Sequence, residues 1–406
     1  ANFNEILNGI DTIKCYGSQE RFLVKTDFLI NRVNEASYLS VALQRWVAIL
    51  LNQVAVSFAL IIALLCVAGQ CKISASSVGV LLTYVLQLPG LLNALLRAST
   101  QVENNMNSVE RMISYAKDLP TEADYKKPQT CPPDTWPPKG EILFEDVGFA
   151  YRPGLPLVLK NFNASINSGE KIGICGRTGA GKSTIMNAIY RLNDLADGKI
   201  TIDGIDISRL GLYDLRRNLS IIPQDPVLFR GTVRKNLDPF NERSDDKLWE
   251  ALRSSGAISA NELDEIKMQK VGLNGSLSNM QKFHLDQQVE EEGFNFSLGE
   301  RQILALTRAL VRQTKILILD EATSSVDYET DQKIQARIVE SFADCTILCI
   351  AHRLNTILNY NRVLVLEDGR IVEFDNPKAL FEAGGVFTQM CSRSGIVSED
   401  FGRNLI

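Results

Sequence analysis

Two long uncharged stretches dominate the first quarter of the chain. From Trp46 to Cys71, and again from Ile73 to Leu96, no charged residue occurs, and Lys72 alone separates them. Each stretch reaches the ~20 apolar residues that a helix needs to cross a bilayer. The pattern predicts two membrane helices, at about 46–68 and 78–98, joined by the short polar turn GQCKISASS. A pair of buried core helices in a soluble protein is the competing reading. Lys14, Arg21, Lys25 and Arg32 precede the first stretch, and Arg45 and Arg97 flank the outer ends. This basic bias assigns both ends to the cytosol and the turn to the opposite side.

Residues 1–45 read as helix, a break near Gly17, and a second polar helix leading into the apolar stretch. Beyond Arg97 the second membrane helix runs on through RASTQVENNMNSVERMISYAKD, and Pro89-Gly90 predicts a kink in mid-span. Asn52, Gln53, Gln87 and Asn93 place amides in or near the membrane, where they pair with further helices or line a substrate path. From 119 to 140 six prolines exclude regular helix and predict an extended linker. After it the period changes. EILFEDVGFAY and NFNASI alternate as strands, and EKIGICG, KILILD, CTILCIA and RVLVLEDG are short apolar strands separated by helical segments. The expected fold is therefore multi-domain: a partial all-α membrane domain over 1–118, the linker over 119–140, an α/β domain with a mostly parallel sheet over 141–395, and a tail over 396–406.

Composition narrows the function classes. The net charge of −5, without a basic stripe, gives no footprint for nucleic acid. Eight cysteines are scattered without a CxxC pair or histidines at metal-ligand spacing, so a Cys-based metal site is not expected. The chain starts at Ala1 inside an apparent helix and shows no signal peptide; a lone hairpin makes a poor translocation path, so the expectation is the C-terminal part of something longer.

The chemistry starts at Gly176-Arg177-Thr178-Gly179-Ala180-Gly181-Lys182-Ser183, a full P-loop pattern between a predicted strand and a predicted helix that continues with Thr184. Glycines let successive N–H groups face phosphates at a helix N-terminus. Lys182 supplies charge to the β- and γ-phosphates, and the Ser183 hydroxyl is a magnesium ligand. The strand ILILD ends in Asp320, which reaches Mg2+ directly or through water, and Glu321 follows as the group that orients and activates the attacking water. His352 closes the strand CTILCIA and is placed for a γ-phosphate contact; alone it would read as a structural histidine. Gln224, after a short apolar strand, can reach the metal or the water, and the Tyr151 ring can stack on adenine, although core packing competes for an isolated tyrosine. His284 has no such context and receives no role. A second anion-holding element is NFSLGERQ, where Ser297 and Gly299 lie just before the helix-forming run RQILALTRALV.

These motifs in this order, with FSLGERQ just ahead of the ILILDE strand, resemble the ATP-binding cassette transporters, and GRTGAGKS, IIPQDPVLFRGTVRKNLDPF and DEATSSVD are similar to their subfamily C, the multidrug-resistance-associated group. The resemblance implies the tail of a second membrane domain, with a coupling helix at about 17–22, followed by a second nucleotide-binding domain of the ABC type on the cytosolic side. It implies ATP and Mg2+, a partner in the N-terminal half of the same transporter, a lipid bilayer, and a small-molecule substrate. Two cassettes pair head to tail in this family, so Ser297, Leu298, Gly299 and Glu300 face ATP held by the partner cassette, and Asp327 communicates across the pair. Against the family's LSGGQ, Phe296, Leu298 and Glu300 are departures. Leu298 adds a side chain where backbone approaches phosphate and Glu300 adds negative charge, so both weaken closure on the partner's ATP. The implied activity is ATP-driven export of amphipathic drugs, conjugates or lipids, from the plasma membrane or, as the rival location, the vacuolar membrane. An ATP-gated channel or channel regulator is the alternative within the subfamily.

Overall fold

The structure is a computed structural model that describes residues 2–68, 74–133, 135–152, 154–259, 263, 283–320, 328–351 and 353–401. The chain divides into two compact units, Ala1–Pro120 and Thr121–Ile406.

The first unit is helical. After short helices at Asn2–Asn8 and Ile10–Cys15, the chain turns at Gly17, whose φ of +62° is a conformation that glycine adopts without strain. A single helix then spans Gln19–Val67, 49 residues, and a second spans Ala75–Asp118, 44 residues. Residues 17–22 are thus a glycine turn followed by the first turn of the long helix, not a helix of their own. The reason is in the sequence: Gln19–Val67 holds no glycine or proline to stop it. The second helix stays helical through Pro89-Gly90. Both helices have apolar windows long enough to cross a membrane. Among the described residues of this unit only Val85 and Pro89 are buried, while Val54, Phe58, Leu60, Leu64, Leu91 and Leu95 are exposed. An apolar helix that buries so little of itself must be covered by lipid or by further helices.

The second unit is built on two main sheets. One has the order β2 (Leu159–Ile166), β1 (Ile142–Phe149), β4 (Asp197–Ile202), β5 (Ile205–Asp206), with antiparallel neighbours throughout. The other has the order β12 (Arg370–Asp375), β11 (Arg362–Glu367), β3 (Lys171–Gly176), β10 (Thr346–Ile350), β9 (Ile316–Asp320), β6 (Leu219–Ile222). It is parallel except for β12. The expectation of one mostly parallel sheet holds only for this second sheet. The alternating stretches of β1 and β2, with one buried and one wetter face, pair antiparallel as such strands do, whereas the uninterrupted apolar runs of β9 and β10 are buried on both faces. A short pair, β7 (Gly231–Thr232) with β8 (Gln288–Val289), lies beside a third apolar cluster that includes Leu228, Leu248, Trp249, Phe296 and Leu304.

The proline-rich stretch is docked rather than free. The carbonyls of Asp124 and Tyr125 accept the N–H groups of Leu212 and Tyr213 at 3.2 and 2.9 Å. Glu122 pairs with both guanidinium nitrogens of Arg216 at 2.9 and 3.0 Å, and a 3₁₀ turn forms at Pro128–Thr130. Trp136 is buried and donates its indole N–H to the Ile202 carbonyl at 3.1 Å. Asp203 closes the stretch by accepting the N–H groups of Lys139, Gly140 and Glu141.

Candidate nucleotide-binding site

In the larger sheet the functional candidates fall at the carboxyl ends of neighbouring parallel strands, where open α/β sheets bind ligands. Register shows the alignment: Asp320 of β9 pairs with Ile350 of β10, and Ile350 pairs with Ile174 of β3, two residues before the phosphate loop. The loop from Gly176 leads into the helix Lys182–Ile189. Gly181 precedes that helix with a φ of +101°, which side chains rarely adopt. At Gly176 a Cβ would lie 2.4 Å from the Leu366 carbonyl oxygen, so the loop can leave β3 against β11 only with glycine there.

Lys182 folds back over the loop and donates to the carbonyls of Gly176 at 2.9 Å and Arg177 at 3.2 Å. Its ammonium is thereby centred on the loop whose backbone would surround a phosphate. Arg177, Thr178 and Gly179 are exposed at the rim, and Ala180 is buried beneath them, its carbonyl tied to the Gly369 N–H. Ser183 donates its hydroxyl to an Asp320 carboxylate oxygen at 3.2 Å, across 137 residues of sequence. These two hard oxygen donors suit Mg2+, which takes one or two protein oxygens and completes its shell with phosphate and water. Gln224 lies two residues beyond β6 with its side chain exposed. Its carbonyl accepts from Gln302, a buried glutamine of the helix Leu298–Arg312, at 3.5 Å.

Tyr151 follows β1 with its ring half-exposed and edge-on to Phe149, centroids 5.4 Å apart. Its hydroxyl is shared with Thr184 at 3.0 Å and accepts from Asn187 at 3.3 Å. The sequence-predicted Tyr151, Lys182, Ser183, Thr184 and Asp320 are therefore brought together around one loop. Glu321, Asp327 and His352 lie outside the described residues. Buried Cys175, in β3 behind the loop, is pushed up to about 12 by desolvation, so its thiol stays protonated and takes no part in charge.

The second predicted anion-holding element is separate from this loop in sequence and helix. Ser297 is the N-cap of Leu298–Arg312, so the helix starts three residues earlier than the run RQILALTRALV. The cause is a capping box. The Ser297 hydroxyl accepts the Glu300 N–H at 3.3 Å, and the Glu300 carboxylate accepts the Ser297 N–H at 2.8 Å. Glu300 thus engages donor and acceptor of the serine expected to face a phosphate. Phe296 turns inward, buried against the third apolar cluster, so that departure from the family pattern is a packing position. His284 is also structural: it is buried, its Nδ1 accepts the Asp286 N–H at 3.1 Å, and its ring meets Trp249 edge-on.

Three residues gain a role that the sequence did not mark. Asn187 and Gln302 have been described. Arg308, on the same helix as Ser297, donates to the Asn236 carbonyl at 2.7 Å, the Asn236 side-chain oxygen at 2.6 Å and the Val227 carbonyl at 2.8 Å. It braces the segment after Gln224. Burial lowers its pKa from 12.5 to about 10, which leaves it charged at neutral pH.

Known proteins share both units. The family model described as "ABC transporter" matches residues 159–324, and "ABC transporter transmembrane region" matches residues 1–95. The oligomycin resistance ATP-dependent permease of Saccharomyces cerevisiae is 71% identical over 98% of this chain, which spans 27% of that protein. ATP-binding cassette sub-family C member 4 of Homo sapiens is 44% identical over 94% of this chain and 27% of its own length. Among solved structures, a bacterial Atm1-family ABC exporter with ATP bound superposes with a TM-score of 0.73 at 26% identity, covering 98% of this chain and 66% of that one. The chain spans about a quarter of the curated relatives it matches. With a transmembrane region that makes it an integral membrane protein and a P-loop unit behind it, the chain belongs to the ATP-binding cassette transporter family.

Proposed function

We propose that this chain is the C-terminal part of an ATP-driven exporter of amphipathic small molecules, hydrolysing ATP at a composite site completed by a first nucleotide-binding domain. The observation that carries the reading is the meeting of Ser183 with Asp320 beside Lys182 at the ends of β3 and β9. Tyr151 stacks the base, the loop N–H groups and Lys182 bind the phosphates, and Ser183 and Asp320 would hold magnesium, which when bound would supply positive charge to the phosphates. Gln224 reaches the metal or the water, and Glu321 and His352 act on the attacking water and γ-phosphate. The signature of the N-terminal half closes over this ATP. Ser297 and Gly299 in turn face the ATP of that half, weakly, because the Glu300 carboxylate already accepts the Ser297 backbone N–H and adds negative charge beside the anion. Hydrolysis is then concentrated at the P-loop of this chain.

The test is Mg2+-dependent ATPase activity of the chain, alone and mixed with its N-terminal half. Activity that appears only in the mixture and is lost in Lys182→Ala and Glu321→Gln supports the composite site. Equal activity from the chain alone would overturn it. Ion conductance that tracks ATP, in place of accumulation against a gradient, would favour the gated channel over the pump.

A further inference from the structure

Tyr151 is not simply an aromatic ring left near a phosphate loop. Its three polar attachments all lead to the P-loop helix or to the turn that ends it. The hydroxyl meets Thr184 at 3.0 Å and Asn187 at 3.3 Å, and its backbone carbonyl accepts from the Asn193 side chain at 3.3 Å. Thr184 and Asn187 are three residues apart in the helix Lys182–Ile189, so their side chains lie on one face, one turn apart. Thr184 is buried, which holds its hydroxyl in place, and Phe149 backs the ring edge-on, leaving ring surface open. The same helix carries Lys182 and Ser183 at its N-terminus. One rigid element thus supports both the phosphate cradle and the aromatic ring.

We infer that Asn187, with Thr184, is a positioning residue for the base platform: by pinning the Tyr151 hydroxyl to the P-loop helix it fixes the spacing between the base and the phosphates of the bound nucleoside triphosphate. This rests on the reading of Tyr151 as the stacking ring. A ring held at its far end can present its face without losing side-chain freedom on binding, so the tether favours nucleotide binding more than chemistry. Asn187 itself lies too far along the helix to belong to the phosphate loop pattern; its role runs through Tyr151.

The experiment uses the assembled transporter proposed above and reads ATPase KM and kcat, with inhibition by inorganic tripolyphosphate as a base-free probe of the same site. Asn187→Ala is expected to raise KM for ATP about two- to tenfold, the weight of one hydrogen bond, and Tyr151→Phe, which also loses the bond to Thr184, at least as much. The larger part of the change falls on KM. The double variant is expected to be no worse than Tyr151→Phe alone, since that variant already removes the bond to Asn187. Tripolyphosphate inhibition stays within twofold, because the loop is untouched. Parallel weakening of ATP and tripolyphosphate would overturn the inference, since Asn187 would then be supporting the helix. Strict additivity would overturn it as well. If Tyr151→Ala raises KM while Asn187→Ala and Tyr151→Phe do not, the tether fails and the platform stands. If Tyr151→Ala also leaves KM unchanged, the platform reading fails and the tether with it.

Discussion

Arg308 is the side chain whose loss the structure prices most clearly. Replacing it with methionine keeps the aliphatic length and removes donors from three oxygens: two carbonyls, Asn236 and Val227, and the Asn236 side chain. Hydrogen bonds from a charged group contribute roughly 1.5–3 kcal/mol each, so the gross loss is about 5–9 kcal/mol. Against this stands the cost of holding a cation there. Its pKa, lowered from 12.5 to about 10, corresponds to about 3 kcal/mol. The difference leaves about 2–6 kcal/mol of local stability. Asn236 is fully committed: besides Arg308 it serves the Phe229 N–H at 2.8 Å, the Phe229 carbonyl at 2.7 Å and the Thr232 carbonyl at 3.1 Å. The loss therefore concentrates in 227–237. Hydrogen exchange of the Phe229 amide in the native protein reads it directly, because opening must break its bond to Asn236. Arg308→Met should accelerate that exchange by roughly one and a half to four and a half powers of ten at fixed pH. Arg308→Lys, able to reach fewer oxygens from a single ammonium, should fall between. An acceleration below about threefold would refute the reasoning.

Two other outcomes follow from the geometry. Glu300→Gln keeps an acceptor for the Ser297 N–H but removes a negative charge from a helix N-terminus. It should cost the helix about 0.3–1 kcal/mol and lengthen retention of nucleotide at the partner cassette's site; unchanged retention would sink the competition between Glu300 and phosphate. Burial pushes Glu170 up, but hydrogen bonds from Arg362 and the Asn167 N–H outweigh it and hold the carboxyl below its ordinary value of 4.5. A lowered carboxylate contributes stability that is complete above that value and is lost as pH falls through the lower folded one. Glu170→Gln should thus flatten the fall in unfolding temperature below about pH 4.5, and parallel curves for the two proteins would refute the assignment.

The legible parts of this molecule are those where backbone chemistry restricts residue type. A phosphate loop demands glycine where a Cβ would lie 2.4 Å from the Leu366 carbonyl oxygen, so its position was readable, and Asp320 was readable as the polar end of an apolar strand. Strand pairing was less so: β1 and β2 alternate, which implies a wet face, but the α/β rhythm around them masked a separate antiparallel sheet. Single polar side chains left no signal at all. Asn187 reaches Tyr151 across 36 residues, and Arg308 reaches Asn236 across 72. Neither belongs to a repeat or a motif, and on an amphipathic helix each resembles a solvated residue. The proline-rich stretch was half readable. Prolines exclude helix, but they do not tell that the carbonyls of Asp124 and Tyr125 will find donors at Leu212 and Tyr213.

That docking bears on how the nucleotide-binding unit is held. The short helix Lys182–Ile189 ends near carbonyls that no helical N–H can satisfy. Arg216 serves two of them, donating to Tyr190 at 3.1 Å and Arg191 at 2.9 Å, a favourable place for a cation at a helix C-terminus. Its remaining donors hold Glu122, whose carboxyl is kept below its usual value mainly by the hydrogen bonds from Arg216. Glu122 stands four residues after Asp118, where the long helix Ala75–Asp118 ends. The P-loop helix is therefore fastened at both ends: phosphate loop and Tyr151 at the front, the linker at the rear. An axial shift of this helix has to carry the linker with it or break the two hydrogen bonds on one side of Arg216, to Tyr190 and Arg191 or to Glu122. The proline-rich stretch, stiff in composition and docked through Glu122, Tyr125 and Trp136, thus belongs with the nucleotide-binding unit.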